Sequence, residues 1–255
     1  MLDFNSKAQV SDQITALIDE ALVAERAGVP PRDYLGGSRL GVACDRALQF
    51  EFVGAPKDPD ADFTGQTLRI FEIGHTLEDL AIRWLRAAGF DLYTRKGNRP
   101  DGEQFGFSVA GGRVRGHVDG ILAAGPPVTG MAFPALWECK TMNAKNWRET
   151  VAKGVVVAKP VYATQIALYQ AYMAATVPGI ADAPALFTAI NKDTAELHHE
   201  LVPFEAERAQ TASDRAVRIL RATDAGDLLP RIATSRNFHE CRFCAWAGRC
   251  WELPA

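Results

Sequence analysis

Asp119 and the triplet Glu138-Cys139-Lys140 are the residues of this sequence best suited to chemistry. Trp137–Thr141 reads as a strand. Side chains alternate along a strand, so Glu138 and Lys140 share one face and Cys139 takes the other. Asp119, in the strand before it, can lie beside that pair. Two neighbouring carboxylates repel, and a divalent cation bound by both relieves the repulsion. A lysine next to such an ion can stabilise charge on an attacked phosphate or orient a water. Metal-bound water is a nucleophile near neutral pH. These are the parts needed to hydrolyse a phosphodiester. A lone Glu-x-Lys is more commonly an exposed ion pair. Here Ala135, Leu136 and Trp137 precede it, so the pair ends a buried strand, where charges are costly without a task.

The elements that must position these residues are legible from periodicity. Ile14, Leu17, Ile18, Ala21 and Leu22 recur at helical spacing until Gly28-Val29-Pro30-Pro31 stops the run. Ser38 is placed to cap a second helix whose apolar face carries Leu40, Cys44, Ala47 and Leu48. Residues 54–66 read as a mobile acidic loop. A long helix follows, from about Leu68 to Ala88. Phe71, His75, Glu78, Ile82 and Leu85 fall on one stripe of it. A polar group on a core-facing stripe needs a partner, which singles out His75 and Glu78. Phe105–Ala110, Arg113–Leu122 and Ala135–Thr141 read as three strands. Pro160 opens a helix to about Ala175. Leu186–Asn191 and Glu196–Phe204 are two more strands, and residues 205–225 another helix. This order predicts an α/β core with a helical cap made from both chain ends, in a single domain over 1–255.

The 255 residues carry a net charge of −3, which argues against a protein that coats nucleic acid through bulk charge. The charge is uneven: residues 1–80 hold 7 Lys and Arg against 14 Asp and Glu. Residues 140–159 hold Lys140, Lys145, Arg148, Lys153 and Lys159 against Glu149 alone. That excess can follow a phosphate backbone or be a solvated helix face. No signal peptide or membrane span is visible, so a reducing cytoplasm is expected.

Of the five cysteines, Cys241, Cys244 and Cys250 lie in the C-terminal tail and Cys44 on the second helix. A cytosolic chain of this length does not call for a disulfide set. Four thiolates suit structural zinc or a cubane iron–sulfur cluster, and spacing alone does not separate the two. Either would tie the two ends together. A thiol oxidoreductase is disfavoured, because Cys241-x-x-Cys244 does not follow a strand. Cys139 reads as a small buried hydrophobe.

Asp119 followed, after eighteen residues, by Glu138-Cys139-Lys140 resembles the signature of the PD-(D/E)XK nucleases. Gly74-His75 with Glu78, and Gln165-x-x-x-Tyr169, resemble two further motifs of its RecB-like branch. The resemblance spans about residues 38–250. It departs at Val118, where the signature has proline, a proline often absent in this superfamily. It implies a restriction-endonuclease-like core, a mixed central sheet flanked by helices. It also implies His75, Asp119, Glu138 and the Cys139 backbone carbonyl as ligands of Mg²⁺ or Mn²⁺, and Lys140 as the residue that positions water or stabilises the transition state. Gln165 and Tyr169 would orient substrate and the lysine strand. His117 and Glu78 would support the metal from behind. Arg113, Arg115, Lys145, Arg148 and Lys153 are candidate phosphate contacts. Cys44, Cys241, Cys244 and Cys250 resemble the 4Fe-4S ligand set of RecB-like nucleases, which places a cap at about 38–50 and 231–255. This resemblance tips the choice from zinc to iron–sulfur.

The resemblance therefore implies a metal-dependent DNA exonuclease, of phage or prophage recombination or of CRISPR spacer processing. The first setting implies a single-strand annealing partner, the second the spacer integrase. The alternative is a non-cleaving DNA-binding or protein-recruiting module with a structural cysteine centre.

Overall fold

The computed structural model describes residues 6–98 and 102–254. The fold is mixed α/β, with two sheets. A three-stranded sheet joins β1 (Leu35–Gly36), β3 (Gly106–Val109) and β4 (Val114–His117) in the order β1-β4-β3. A five-stranded sheet joins β2 (Asp91–Tyr93), β5 (Gly120–Ala124), β6 (Ala135–Met142), β7 (Ala185–Asn191) and β8 (Leu197–Val202), in the order β2-β5-β6-β7-β8. Only β6 and β7 run parallel within it.

The central strand β6 shows why the site sits where it does. Leu136 joins the apolar cluster that also holds Ile166 and Leu168 of α6 (Pro160–Met173). Trp137 and Cys139 join the opposite cluster, with Ala81 and Leu85 of α3 (Gly65–Ala87). Alternation then directs Glu138 and Lys140 to the α6 side. Pro160 at the first turn of α6 matches the expected start. Strand β7 is buried along its whole length, as a strand covered on both faces must be.

One expected strand, Arg113–Leu122, is in fact two. The Val118 amide still donates to the Phe105 carbonyl at 2.9 Å, beside β3, while Gly120 already pairs with Trp137 of β6. The chain changes sheets between them, and Asp119 belongs to neither ladder. Gly120 permits the crossing: a Cβ there would lie 2.5 Å from Leu92 Cδ1.

The second helix also differs. Ser38 sits in a 3₁₀ turn, Gly37–Arg39, and α2 spans Asp45–Phe52 with Cys44 at its N-cap position. Gly37 packs so tightly that a Cβ would stand 2.7 Å from the Tyr169 ring and 2.9 Å from Phe107, which pins the turn in place. The loop over 54–66 is docked and not free. Asp58 accepts from the amides of Gly248 (2.5 Å) and Arg249 (3.0 Å), and Trp246 donates to the Ala55 carbonyl at 2.9 Å.

Helix α1 (Ser6–Ala27) forms as expected and is tied to α3 by Asp19 and Arg69. Its stripe faces outward, however: Ile14, Leu17 and Ile18 are exposed. The expected stripe of α3 is likewise only half core. Phe71 and His75 are exposed, and of the stripe residues Leu85 is the buried one. Three more helices follow α3 before β7: α4 (Ala144–Lys153), the short α5 (Val155–Ala158) and α6. After β8 come α7 (Ala206–Ala225) and the small α8 (His239–Arg242) and α9 (Ala247–Glu252). Among the described residues, no helix is long and apolar enough to cross a membrane.

Candidate active site

A polar cavity of about 540 Å³ opens where the two sheets meet. Its floor comes from β6. Lys140 bonds Glu138 Oε1 and lies 3.9 Å from Asp119 Oδ2. Asp119 Oδ2 accepts the Cys139 amide at 2.8 Å, so the residue at the sheet crossing is anchored to the strand that carries the triplet. Gln165, one of the few buried polar residues of α6, donates to Glu138 Oε1 at 2.6 Å. Glu138 is fully buried, and among the described residues its Oε2 has no hydrogen-bond partner. Tyr169, one turn beyond Gln165, sits edge-on to Phe107 at 5.3 Å, in a slot that only Gly37 and Gly116 can leave open.

The electrostatics follow from this crowding. Burial, then the charge of Asp119, pushes Glu138 up to about 8 against the pull of Lys140. Burial and Asp119 likewise push Glu78 up to about 7. Burial would lower the Lys140 ammonium, but Glu138 and Asp119 outweigh it and hold it above its ordinary value. Tyr169 is raised by burial and by Glu138. The lysine is thus the positive charge that holds two carboxylates together here. It also rests 5.5 Å from the centre of the Tyr162 ring.

His75, Glu78, His117 and Arg115 line the same cavity, from α3 and β4. His75 and Glu78 face this space and not the core, which explains two polar groups on an otherwise apolar stripe. Arg113 goes elsewhere. It forms a two-pronged pair with Asp224 of α7 (2.6 and 2.9 Å), stacks over Phe52, and does not line the cavity. The reason is its place in the turn before β4, where strand alternation does not yet govern direction. Lys145, Arg148 and Lys153 lie on α4 and do not line the cavity either; Lys153 pairs with Glu149 at 2.9 Å. The sequence reading missed Arg32, Tyr34, Arg95 and Gln104, which form the opposite wall. Arg115 stacks over Tyr34 at 4.8 Å and Arg32 approaches the same ring at 5.8 Å. An aromatic flanked by arginines was the available signal.

All five cysteines are free. Cys139 is buried on the far face of β6, as expected. Cys44, Cys241, Cys244 and Cys250 are half-buried, and the first and last are close enough to Cys241 and Cys244 to raise their thiols beyond the effect of burial. The chain ends therefore meet. Among the described residues, though, no three His, Cys, Asp or Glu side chains converge closely enough to hold a metal ion, at either place.

The sequence profile of the PD-(D/E)XK nuclease superfamily matches residues 40–251. The chain belongs to that superfamily. No curated protein matches this PD-(D/E)XK chain. Among solved structures, it resembles an alkaline exonuclease (LHK-Exo) from Laribacter hongkongensis. The TM-score is 0.50 at 14% identity, over 77% of this chain and 90% of that one. The same exonuclease in complex with dAMP gives 0.47 at 16% identity, over 76% and 89%. A protein described as SSO0001 gives 0.46 at 15% identity, over 93% and 96%. At such identities the likeness is one of fold. The donors of this PD-(D/E)XK site, carboxylates and an imidazole, suit a hard divalent cation such as Mg²⁺ or Mn²⁺. The unpartnered Glu138 Oε2 fits that need.

Proposed function

We propose that this protein is a metal-dependent deoxyribonuclease that digests DNA from an end. The observation that carries the reading is Glu138: a fully buried carboxylate with one oxygen held by Gln165 and Lys140 and the other unpartnered, beside Asp119. A buried carboxylate oxygen without a donor is costly, and a cation shared with Asp119 satisfies it. His75, Asp119, Glu138 and the Cys139 carbonyl would hold Mg²⁺ or Mn²⁺, which supplies an activated water and a counter-charge for the phosphate. Gln165 fixes the Glu138 carboxylate. Lys140 turns its ammonium from the two carboxylates towards the scissile phosphate, and Tyr162 limits where that ammonium can go. Arg115, with Arg32, gives the cavity a cationic wall opposite the acidic one, suited to backbone phosphate. Glu78 and His117 sit behind the ligands.

The four cysteines of the two chain ends would hold a 4Fe-4S cluster, with zinc as the alternative. The exonuclease serves phage or prophage recombination, beside a single-strand annealing protein, or CRISPR spacer processing, beside the spacer integrase, in the cytoplasm. A non-cleaving DNA-binding or recruiting module is the second reading. It is favoured by Lys140 already bonding Glu138 and standing 3.9 Å from Asp119, where a cation would sit. End-labelled duplex and single-stranded DNA with Mn²⁺ separate the two. Turnover that Asp119→Ala and Lys140→Ala abolish supports the nuclease. Binding without turnover, or turnover indifferent to both changes, overturns it.

A further inference from the structure

We infer that a second cavity, beside the carboxylate site, seats a neighbouring phosphate of the DNA strand being cut. The inference rests on the nuclease reading and adds where the strand goes. The cavity holds about 170 Å³, and its wall includes Asn143, Asn146, Lys159, Tyr162 and Lys192. It shares no residue with the catalytic cavity but abuts it. Thr141, also in its wall, directly follows Lys140 on β6, and the Tyr162 ring stands 5.5 Å from the Lys140 ammonium.

Every nitrogen side chain in that wall is a donor. A lysine can only donate. Lys159 Nζ donates to Asn146 Oδ1 at 2.7 Å, which occupies the oxygen of that amide and leaves its NH2 to donate. Asn143 is in the same position, because its Oδ1 accepts the Asn146 backbone amide at 2.9 Å. Two ammoniums and two amide NH2 groups therefore meet, and among the described residues no carboxylate lines the cavity. The acidic residues nearby are committed elsewhere. Glu149 bonds Lys153 at 2.9 Å and only approaches Lys159, at 3.8 Å. Asp193 accepts the Ala144 amide at 2.8 Å.

Lys192 has the least compensation: among the described residues no carboxylate pairs with it. Its backbone is nevertheless fixed, since its amide donates to the Met142 carbonyl at 2.9 Å and carries the β6–β7 pairing one residue further. A fixed set of donors around an unpaired ammonium suits an oxyanion with several acceptors, as a phosphate is. The volume is below the roughly 300–1,000 Å³ of pockets that enclose whole small molecules, and suits one group of a longer chain. A strand lying across Lys140 brings its next phosphate to Lys192.

The experiment measures binding of a short single-stranded DNA with Ca²⁺ in place of Mn²⁺, so that nothing is cut, over a series of salt concentrations. Wild type, Lys192→Gln, Lys192→Arg and Arg208→Gln are compared as full-length chains. Arg208 is engaged by Glu205 at 2.9 Å and lines neither cavity, so it controls for net charge. Lys192→Gln should weaken binding to every sequence and reduce the slope of log affinity against log salt by about 1. Lys192→Arg should restore the slope, and Arg208→Gln should leave it unchanged. A neutral methylphosphonate, placed at one phosphate after another, then locates the seat. At one position beside the scissile phosphate it should weaken wild type and cost Lys192→Gln little more. Lys159→Gln takes the place of Lys192→Gln if the latter does not fold. Wild-type slope and affinity in a folded Lys192→Gln overturn the seat and leave the nuclease reading intact. So does a loss that Arg208→Gln equals, or a methylphosphonate effect that is the same in both proteins at every position. If Lys192→Gln weakens binding of inorganic phosphate titrated alone but not of DNA, the site holds a free anion and the inference fails. A wild type that neither binds nor cuts DNA overturns the nuclease reading itself, and the inference with it.

Discussion

The carboxylate cavity and the cysteine cap both gather ligand-type side chains from distant parts of the chain, but they are built differently. The cavity is framed by strands. Asp119 is anchored to the Cys139 amide, and Glu138 to Gln165 on a buried helix. A lysine of its own offsets part of their charge. The cap is framed by short helices and loops, held by arginine and glutamine bonds to carbonyls such as Leu229, Asp227 and Leu253. Its thiols are half-buried, and among the described residues no carboxylate pairs with its buried Arg46. The first is a charge cluster fixed by strands; the second is a set of free thiols gathered where the chain ends meet.

The largest expected effect tests the first half of that contrast. Lys140→Ala should lower Mn²⁺-dependent cleavage by about 10²–10³-fold, in line with loss of one group that stabilises transition-state charge. The fold should persist, as read by circular dichroism. Unchanged cleavage would separate Lys140 from the chemistry.

Chelation tests the second half. Stripping the purified protein with a strong chelator should leave the strand core cooperative and make the tail beyond Arg231 the first site of proteolysis. Equal protection of tail and core, with and without the chelator, would mean that the cap needs no metal.

A pH series sharpens the difference further. Glu138 is raised from its ordinary value to about 8 by burial and Asp119. A carboxyl with a raised folded pKa takes up a proton on folding, so its neutral form is the stable one. In the absence of divalent ions, the melting temperature should therefore fall as pH rises from about 4.5 to 8. Mn²⁺ should oppose the fall, and Glu138→Gln should flatten it. A melting temperature that rises with pH across this window in the metal-free protein, and still does so in Glu138→Gln, would put the control elsewhere.

Two smaller effects mark the boundary between the regions. Asp58→Ala removes two amide partners of α9 and should destabilise the cap by about 1–2 kcal/mol, without changing cleavage by a loaded protein. Arg113→Ala should leave both cleavage and DNA affinity near wild type, because its guanidinium is engaged by Asp224. A marked loss of DNA affinity would return it to the substrate path.

How much of this was legible in the sequence varied with the physics involved. Glu138 and Lys140 share a face because alternation on a strand is local, and a three-residue window is enough to see it. The Gln165 and Tyr169 pair is visible for the same reason, on a helix. The sheet change at Asp119 is not, because the pattern from Val114 to Leu122 alternates as one strand would, and only the partners show that it belongs to two. Ser38 looked like a cap because its residue type is right, but the close approach of Gly37 to Tyr169 decides the turn. Arg32 and Tyr34 escaped notice because the two-residue strand β1 has no period to read. The stripe of α1 was read correctly as helical, but periodicity does not say what, if anything, covers it.

The crossing at Asp119 has a mechanical consequence. The small sheet carries Arg115 on β4, paired to β1 beside Tyr34, and in the proposed reading is the gripping jaw. The large sheet carries Glu138 and Lys140 and would be the cutting jaw. Asp119 is the pivot between them, bonded to one jaw and continuous with the other. In the proposed nuclease, a duplex held by the arginines would bear on Asp119, so holding the substrate and setting the carboxylates would be coupled.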